Sequence, residues 1–429
     1  MNFSDSEIVA SLMQSDGYEI CEESKEADVV FVNTCSIRDN AEQRVRKRLR
    51  ELKSLKIRNP FVKIGVLGCM AERLKQQLLE EEQSVDLIVG PDAYRSLPSL
   101  LEQTDEGQKA INVILSSKET YDDITPVRLD KNGITAFISI MRGCENFCAY
   151  CVVPFTRGKE RSRNPKTIVE EAHDLFGKGY REVTLLGQNV NSYAWEDEGK
   201  QTAFYELLEQ VAAVNPKLRV RFATSHPKDI SDELLKTIGS HHNICSAIHL
   251  PVQTGSNNIL KRMNRKYTRE WYLNRIAAIW KYIPECAIST DIIAGFCTET
   301  DQDHQDTISM MKEVGYDYAF MFKYSERPNT IAQKKLADDV SEELKSARLQ
   351  EIIDLQQQLS HESNKRDIGK IFEVLVEGVS KKSEEFLMGR NSQNKVLVFP
   401  KETYRVGDYV QVKVTECTTA TLIGNSQKH

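Results

Sequence analysis

Residues 141–154 read Met141-Arg142-Gly143-Cys144-Glu145-Asn146-Phe147-Cys148-Ala149-Tyr150-Cys151-Val152-Val153-Pro154. Three cysteines at C-x3-C-x2-C spacing can hold an iron–sulfur cube but cannot complete it, because such clusters are normally closed by four thiolates. A metal centre that keeps one coordination position open is built to react, whereas a structural one is closed. Cysteine pairs at similar spacing also bind zinc, so a zinc site with its fourth ligand elsewhere is the rival reading. The stretch also decides the fold, since it stands at the end of the first apolar segment in a long strand-and-helix alternation.

Apolar segments at 135–141, 182–186, 219–223, 244–250, 287–293 and 318–322 are separated by helical patterns at 165–178, 204–214, 232–238, 268–282 and 303–314. Six such units predict an incomplete (β/α)6 barrel rather than a closed eight-stranded one. The three cysteines follow its first strand, on the loop face where barrel enzymes carry their chemistry. Polar or small residues at the ends of later strands are candidate cofactor contacts: Gln188 and Asn189 after the second, Ser225 and His226 after the third, Ile293 and Gly295 at the fifth.

Upstream, apolar runs at 28–35, 63–68 and 86–90 alternate with helical stretches at 40–55 and 71–82. This predicts a parallel α/β domain of Rossmann or flavodoxin-like type over residues 1–115. Cys35 and Cys69 fall at its strand-to-helix turns, on the edge where open α/β sheets place ligands. Burial as small hydrophobes is the alternative for both. The chain opens on a helix, with Ser4 and Glu7 read as a capping box. A doubly wound unit ordinarily begins with a strand, so the first strand and its turn are expected to be missing from a longer parent sequence.

Downstream, a charged helical segment at 340–366 closes a middle domain over 130–362. Short strands at 372–376, 385–389, 395–399, 409–414 and 418–422, with Gly, Asn and Ser in their turns, predict a small antiparallel β-barrel over 363–429. Such barrels often bind oligonucleotides.

The 429 residues include ten cysteines without the dense framework of a secreted scaffold, no signal segment and no apolar run of about 18 residues. A reducing cytoplasm and no membrane partner are expected. A net charge of −6 gives no global sign of nucleic-acid binding. Two local patches could still meet phosphates: Arg44, Arg46, Lys47, Arg48, Arg50 and Lys53 after Cys35, and Arg157, Lys159, Arg161 and Arg163 after the cysteine cluster.

Several stretches taken together resemble one family over nearly the whole chain. They are Met-Asn-Phe-Ser-Asp-Ser-Glu (1–7), Asn-Thr-Cys-Ser-Ile-Arg (33–38), Gly-Cys-Met-Ala-Glu-Arg (68–73), Arg-Gly-Cys-Glu-Asn-Phe-Cys-Ala-Tyr-Cys (142–151), Thr-Arg-Gly-Lys-Glu-Arg-Ser-Arg (156–163), Leu-Leu-Gly-Gln-Asn-Val-Asn-Ser-Tyr (185–193) and His-Leu-Pro-Val-Gln-Thr-Gly-Ser (249–256). The sequence resembles the radical SAM methylthiotransferases of the MiaB type, the tRNA-modifying branch. The resemblance implies an auxiliary-cluster domain, a radical SAM partial barrel and a terminal TRAM domain that grips tRNA. It implies a 4Fe-4S cluster on Cys144, Cys148 and Cys151 whose open iron takes S-adenosylmethionine, and a second 4Fe-4S cluster for which Cys35 and Cys69 match two of three ligands. The third would precede Met1, and Cys21 is the nearest substitute. Cys297 stands where the family usually has proline and is read as packing.

The implied reaction breaks S-adenosylmethionine homolytically to a deoxyadenosyl radical that takes hydrogen from C2 of an adenine. The auxiliary cluster then delivers a sulfur methylated by a second S-adenosylmethionine. The implied substrate is N6-isopentenyladenosine 37 in the tRNA anticodon stem-loop, and the product is its 2-methylthio derivative. An electron donor such as a flavodoxin or ferredoxin, and a sulfur carrier, would be the partners. Lacking the upstream cysteine, the chain is expected to cleave S-adenosylmethionine but to fail at methylthiolation. Two alternatives stand: the same chemistry on a threonylcarbamoyl-modified tRNA adenine or a ribosomal-protein aspartate, and a non-enzymatic zinc-bearing RNA-binding protein. The wording of 33–38 and 187–193 favours the isopentenyl branch.

Overall fold

The computed structural model describes residues 1–36, 39–130 and 132–427, so Ile37 and Arg38 of the 33–38 stretch lie outside the described residues. They gather into two compact units, neither continuous in sequence: residues 1–129, 141–163 and 325–335 form the first, and 130–140, 164–324 and 336–429 the second.

The first unit is built on four parallel strands in sequential order, Val29–Thr34, Lys63–Gly68, Leu87–Val89 and Ala110–Asn112. Alternate side chains point to opposite faces. Leu67, Leu87 and Val89 meet Ile8, Val9 and Met13 of the opening helix Asn2–Ser15, while Ile64, Val66 and Ile88 meet Leu49 and Leu52 of the helix Asp39–Arg58. Each such fully buried side chain contributes about 1.5–3 kcal/mol, which is why these helices lie on the sheet.

Three expectations need correcting. The opening helix starts at Asn2, so Ser4 and Glu7 are not a capping box. Both are buried, and Glu7 instead takes Arg128 at 3.0 Å and the Leu129 N–H at 3.1 Å. The helix expected over 71–82 is two short ones, Cys69–Leu74 and Gln76–Glu81, broken where Lys75 adopts φ 52°. A fourth strand, Ala110–Asn112, adds to the three apolar runs expected for this domain.

The second unit carries six parallel barrel strands, Thr135–Ser139, Glu182–Leu186, Arg219–Ala223, Ala247–His249, Ala287–Ala294 and Tyr318–Lys323. They form two three-stranded sheets joined by a parallel bridge from Val220 to Ile244. The first and sixth strands are the two ends of this unclosed barrel and pair with no further strand among the described residues. After the long helix Glu342–Lys365 comes a closed five-stranded barrel, with Val374, Val376, Leu397, Phe399, Val412 and Val414 inside. Its pairings are antiparallel except for Val396–Pro400 against Leu422–Ser426. It is tied to the third barrel strand, where Arg219 donates to the Arg390 carbonyl and Arg221 to that of Asn391, each at 2.7 Å.

Candidate functional site

In the first unit, Met141–Arg142 pairs antiparallel with Arg161–Ser162, and this closes residues 143–160 into a pinned loop. Gly143 holds φ 79°, and a Cβ there would stand 1.8 Å from the Lys159 carbonyl oxygen, so only glycine lets the loop cross itself. The next residue, Cys144, donates its N–H to the Gly158 carbonyl at 3.1 Å, and Cys151 donates to the Cys148 carbonyl at 2.9 Å. Burial, with the nearby Glu160 and Cys148, pushes the Cys144 thiol up to about 11. Metal binding therefore has to displace its proton. Among the described residues no three His, Cys, Asp or Glu side chains are grouped to hold a single ion. A cluster makes no such demand, because each thiolate takes a different iron, and three thiols on one closed loop fit that donor set.

Cys35 and Cys69 are brought to one edge of the four-stranded sheet. Thr34 is in register with Gly68, and the Thr34 hydroxyl donates to the Leu67 carbonyl at 2.6 Å while accepting the Met70 N–H at 3.2 Å. The next residue on each strand is the cysteine. Two thiols do not by themselves close a cluster. Cys21 is exposed and Cys297 is buried.

Beside Cys69 lies a charged network that the sequence reading missed. Arg157 donates Nε–H to Cys69 Sγ at 3.2 Å and Nη2–H to Asp5 at 2.6 Å, and the other Asp5 oxygen accepts from Arg142 at 2.6 Å. All three charged residues are buried, with Asp5 at 0% exposure. Burial alone would raise the Asp5 carboxyl, but the Arg157 and Arg142 guanidiniums override it and hold it at about 2. Arg142 and Arg157 bracket the three-cysteine loop, and Asp5 lies in the quoted 1–7 stretch; that adjacency was the available signal.

This network corrects part of the RNA assignment. Arg157, Arg161 and Arg163 are each at most 6% exposed, and Arg161 is paired with Asp92 at 2.9 Å. Side chains so enclosed cannot reach phosphates. Arg44, Lys47, Arg48, Arg50 and Lys53 are exposed on the helix Asp39–Arg58, while Arg46 is half-buried and paired with Glu81 and Glu82.

In the second unit, the strand-end residues divide by what their polar atoms do. Gln188 Oε1, Ser225 Oγ and His226 Nε2 are buried without a hydrogen-bond partner, a condition that native proteins rarely leave uncompensated. These orphaned atoms fit a polar ligand such as the methionine-bearing cofactor. Burial, reinforced by Arg265 and Lys228, pushes His226 down to about 2, so it offers a neutral nitrogen rather than a proton shuttle. Asn189 is engaged internally: its amide donates to Asp229 at 2.7 Å and its oxygen accepts the His226 N–H at 3.0 Å. Ile293 donates its N–H to the Gln253 carbonyl, and Gly295 is required because a Cβ would meet Lys345 Cγ at 2.3 Å.

The inward-facing residues of the barrel strands leave a chamber of about 930 Å3, which extends to the long helix and the small barrel. Phe137, His249, Phe320 and Tyr318 line it, together with the buried Glu182–Arg221 pair at 2.8 Å. Periodicity had placed these residues on strands but could not show that the interior is hollow.

Comparison with known proteins adds the following. The sequence model of the Uncharacterized protein family UPF0004 matches residues 1–90, that of the Radical SAM superfamily residues 138–311, and that of the TRAM domain residues 365–425. A tRNA-2-methylthio-N(6)-dimethylallyladenosine synthase from Phocaeicola vulgatus is 59% identical over 427 residues, covering 99% of this chain and 93% of its own length. One from Amoebophilus asiaticus is 58% identical over 436 residues, covering 99% and 90%. Among solved structures, the radical S-adenosylmethionine methyltransferase TsrM from Kitasatospora setae, with cobalamin and a 4Fe-4S cluster bound, superposes with a TM-score of 0.56 at 12% identity, over 77% of this chain and 70% of that one. The radical enzyme OxsB does so at 0.51 and 10% identity, over 82% and 53%. These two likenesses concern the fold alone.

Proposed function

The chain belongs to the family of tRNA-2-methylthio-N(6)-dimethylallyladenosine synthases, and from that membership we propose that it adds a methylthio group to C2 of N6-isopentenyladenosine 37 in tRNA. It is a radical SAM enzyme with a terminal TRAM domain. The observation that carries the reading is the pinned loop with Cys144, Cys148 and Cys151, set in a chain of which 99% aligns with these relatives.

Cys144, Cys148 and Cys151 hold the radical cluster in this reading, and Gln188, Ser225 and His226 receive S-adenosylmethionine on their unmet polar atoms. A reduced 4Fe-4S cluster supplies the electron for homolytic cleavage of S-adenosylmethionine, reactivity that side chains lack. The polypeptide's own part is to orient and to exclude water. Asn189 fixes the His226 backbone, and a target base in a loop has to leave its stack to be reached. Cys35 and Cys69 are assigned to a second cluster that needs a further donor. The substrate is the anticodon stem-loop, with the exposed cations of the helix Asp39–Arg58 on its phosphates. A small electron-transfer protein and a sulfur carrier complete the partners, in the cytoplasm where tRNA is modified.

Nucleoside mass spectrometry of tRNA from a deletion strain tests the assignment. Loss of 2-methylthio-isopentenyladenosine with accumulation of isopentenyladenosine is expected; unchanged 2-methylthio-isopentenyladenosine refutes it.

A further inference from the structure

Arg157 belongs to one cysteine site by sequence and to the other by contact. It ends the short helix Val153–Arg157 that follows the three-cysteine loop, and its side chain reaches the sulfur of Cys69. A guanidinium carries five N–H donors in a fixed fork. The one on Nε goes to Cys69 Sγ at 3.2 Å, and Nη2 donates to Asp5 at 2.6 Å and to Asn2 Oδ1 at 3.4 Å. Nη1 is buried and meets no acceptor among the described residues, and the same holds for Nε of Arg142, whose Nη2 takes the other Asp5 oxygen. Buried N–H groups are nearly always paired in native proteins, so idle donors on both arginines of one carboxylate point to an acceptor that the polypeptide does not supply.

The charges agree with the donors. The ions bonded around Asp5 and Asp92 are Arg142 and Arg157 on the first and Arg161 on the second, all at most 9% exposed. Three cations therefore face two carboxylates, and a buried surplus of positive charge is costly unless an anion offsets it. An iron–sulfur cluster with its thiolate ligands is such an anion, and its sulfurs accept hydrogen bonds. The surplus lies beside Cys69, where Arg157 already donates to the sulfur.

We propose that Arg157 is a positioning residue for the second cluster: anchored by Asp5, its guanidinium holds the Cys69 sulfur through a charge-assisted N–H···S bond and raises the cluster's reduction potential. The inference rests on the assignment of Cys35 and Cys69 to that cluster, and deepens it. Hydrogen bonds to the sulfurs and local charge are among the factors that set such potentials. A positively charged donor stabilises the reduced, more negative state more than the oxidised one, so the direction is upward. Asp5 orients Arg157 as the outer partners of metal ligands orient the ligands themselves.

The test is a potentiometric titration of the full-length chain carrying Cys144→Ala, Cys148→Ala and Cys151→Ala. Reconstitution is anaerobic, with iron, sulfide and dithiothreitol as an added thiol, so that the remaining cluster signal belongs to Cys35 and Cys69. In that background Arg157→Gln, which removes the charge, should lower the midpoint by at least a tenfold change in the reduction equilibrium, about 59 mV for one electron. Arg157→Lys keeps the charge but cannot span Asp5 and Cys69 together, and should lower it by less. A folded glutamine variant that no longer retains iron supports the proposal too, because the sulfur is then no longer held. An unchanged or raised midpoint in both variants overturns it and leaves Arg157 a structural partner of Asp5; should the glutamine variant fail to fold, that result in the lysine variant overturns it alone. If the parent chain binds no iron that Cys35→Ala or Cys69→Ala abolishes, the second-cluster assignment itself falls, and this inference with it.

Discussion

Replacing Asp5 with Asn should destabilise the first unit by about 3–5 kcal/mol. Asp5 is fully buried, and each of its two oxygens takes one buried guanidinium at 2.6 Å, from Arg142 and Arg157. Its carboxyl stands at about 2 against an ordinary value of 3.8. At roughly 1.4 kcal/mol per tenfold change, ionisation of this one group stabilises the fold by about 2–3 kcal/mol. Because the folded value is the lower one, that contribution is fully present above about 4 and is lost as pH falls through 2. The amide removes it at every pH and also leaves two buried positive charges without their counter-ion, the situation that costs about 3–5 kcal/mol when one partner of a buried pair is removed. Urea unfolding, followed by hydrogen exchange in peptides covering residues 1–129, measures the loss. A double variant, Asp5→Asn with Arg157→Gln, should be less unstable than the two single effects added, since the second change removes a charge that the first had stranded. Stability of Asp5→Asn within about 0.5 kcal/mol of the wild type would refute the reasoning, because it would mean the two arginines find other partners at no cost.

Further expectations follow from the same geometry. Ala at Cys144, Cys148 or Cys151 should each abolish the radical cluster, read as loss of iron per chain and of absorbance near about 400 nm after anaerobic reconstitution. Burial raises Glu72 from 4.5 to about 7, so unfolding stability should fall as pH rises from 4.5 through 7, by up to about 3 kcal/mol; Glu72→Gln should flatten that slope in urea midpoints measured across the range. Replacing exposed Arg44 and Lys47 with Gln should weaken binding of anticodon stem-loop RNA and lower the slope of log affinity against log salt by about 0.7–0.9 for each phosphate no longer neutralised; an unchanged slope would remove that helix from the interface.

Much of this molecule follows from local pattern. The period-two apolar runs of the six barrel strands and the first three strands of the other sheet, the helical spacing between them, and the C-x3-C-x2-C stretch are properties of neighbouring residues, and they were legible because strand and helix periodicity is written within a few turns of chain. Cys35 and Cys69 could likewise be placed at one sheet edge from strand ends alone. The fourth strand was not legible, since Ala110–Asn112 is three residues long and becomes a strand only by pairing with Leu87–Val89.

What tertiary structure decided lies in contacts between residues far apart in sequence. Arg157 read as a basic-patch residue until the fold placed it against Cys69, 88 positions away, and Asp5, 152 positions away. Arg221, Arg390 and Lys395 each lie beside a carboxylate that is 39, 13 and 28 positions away in sequence. Composition and spacing report which charges exist. Only the folded chain determines which are already neutralised, because that depends on distances of a few ångströms that sequence separation does not encode.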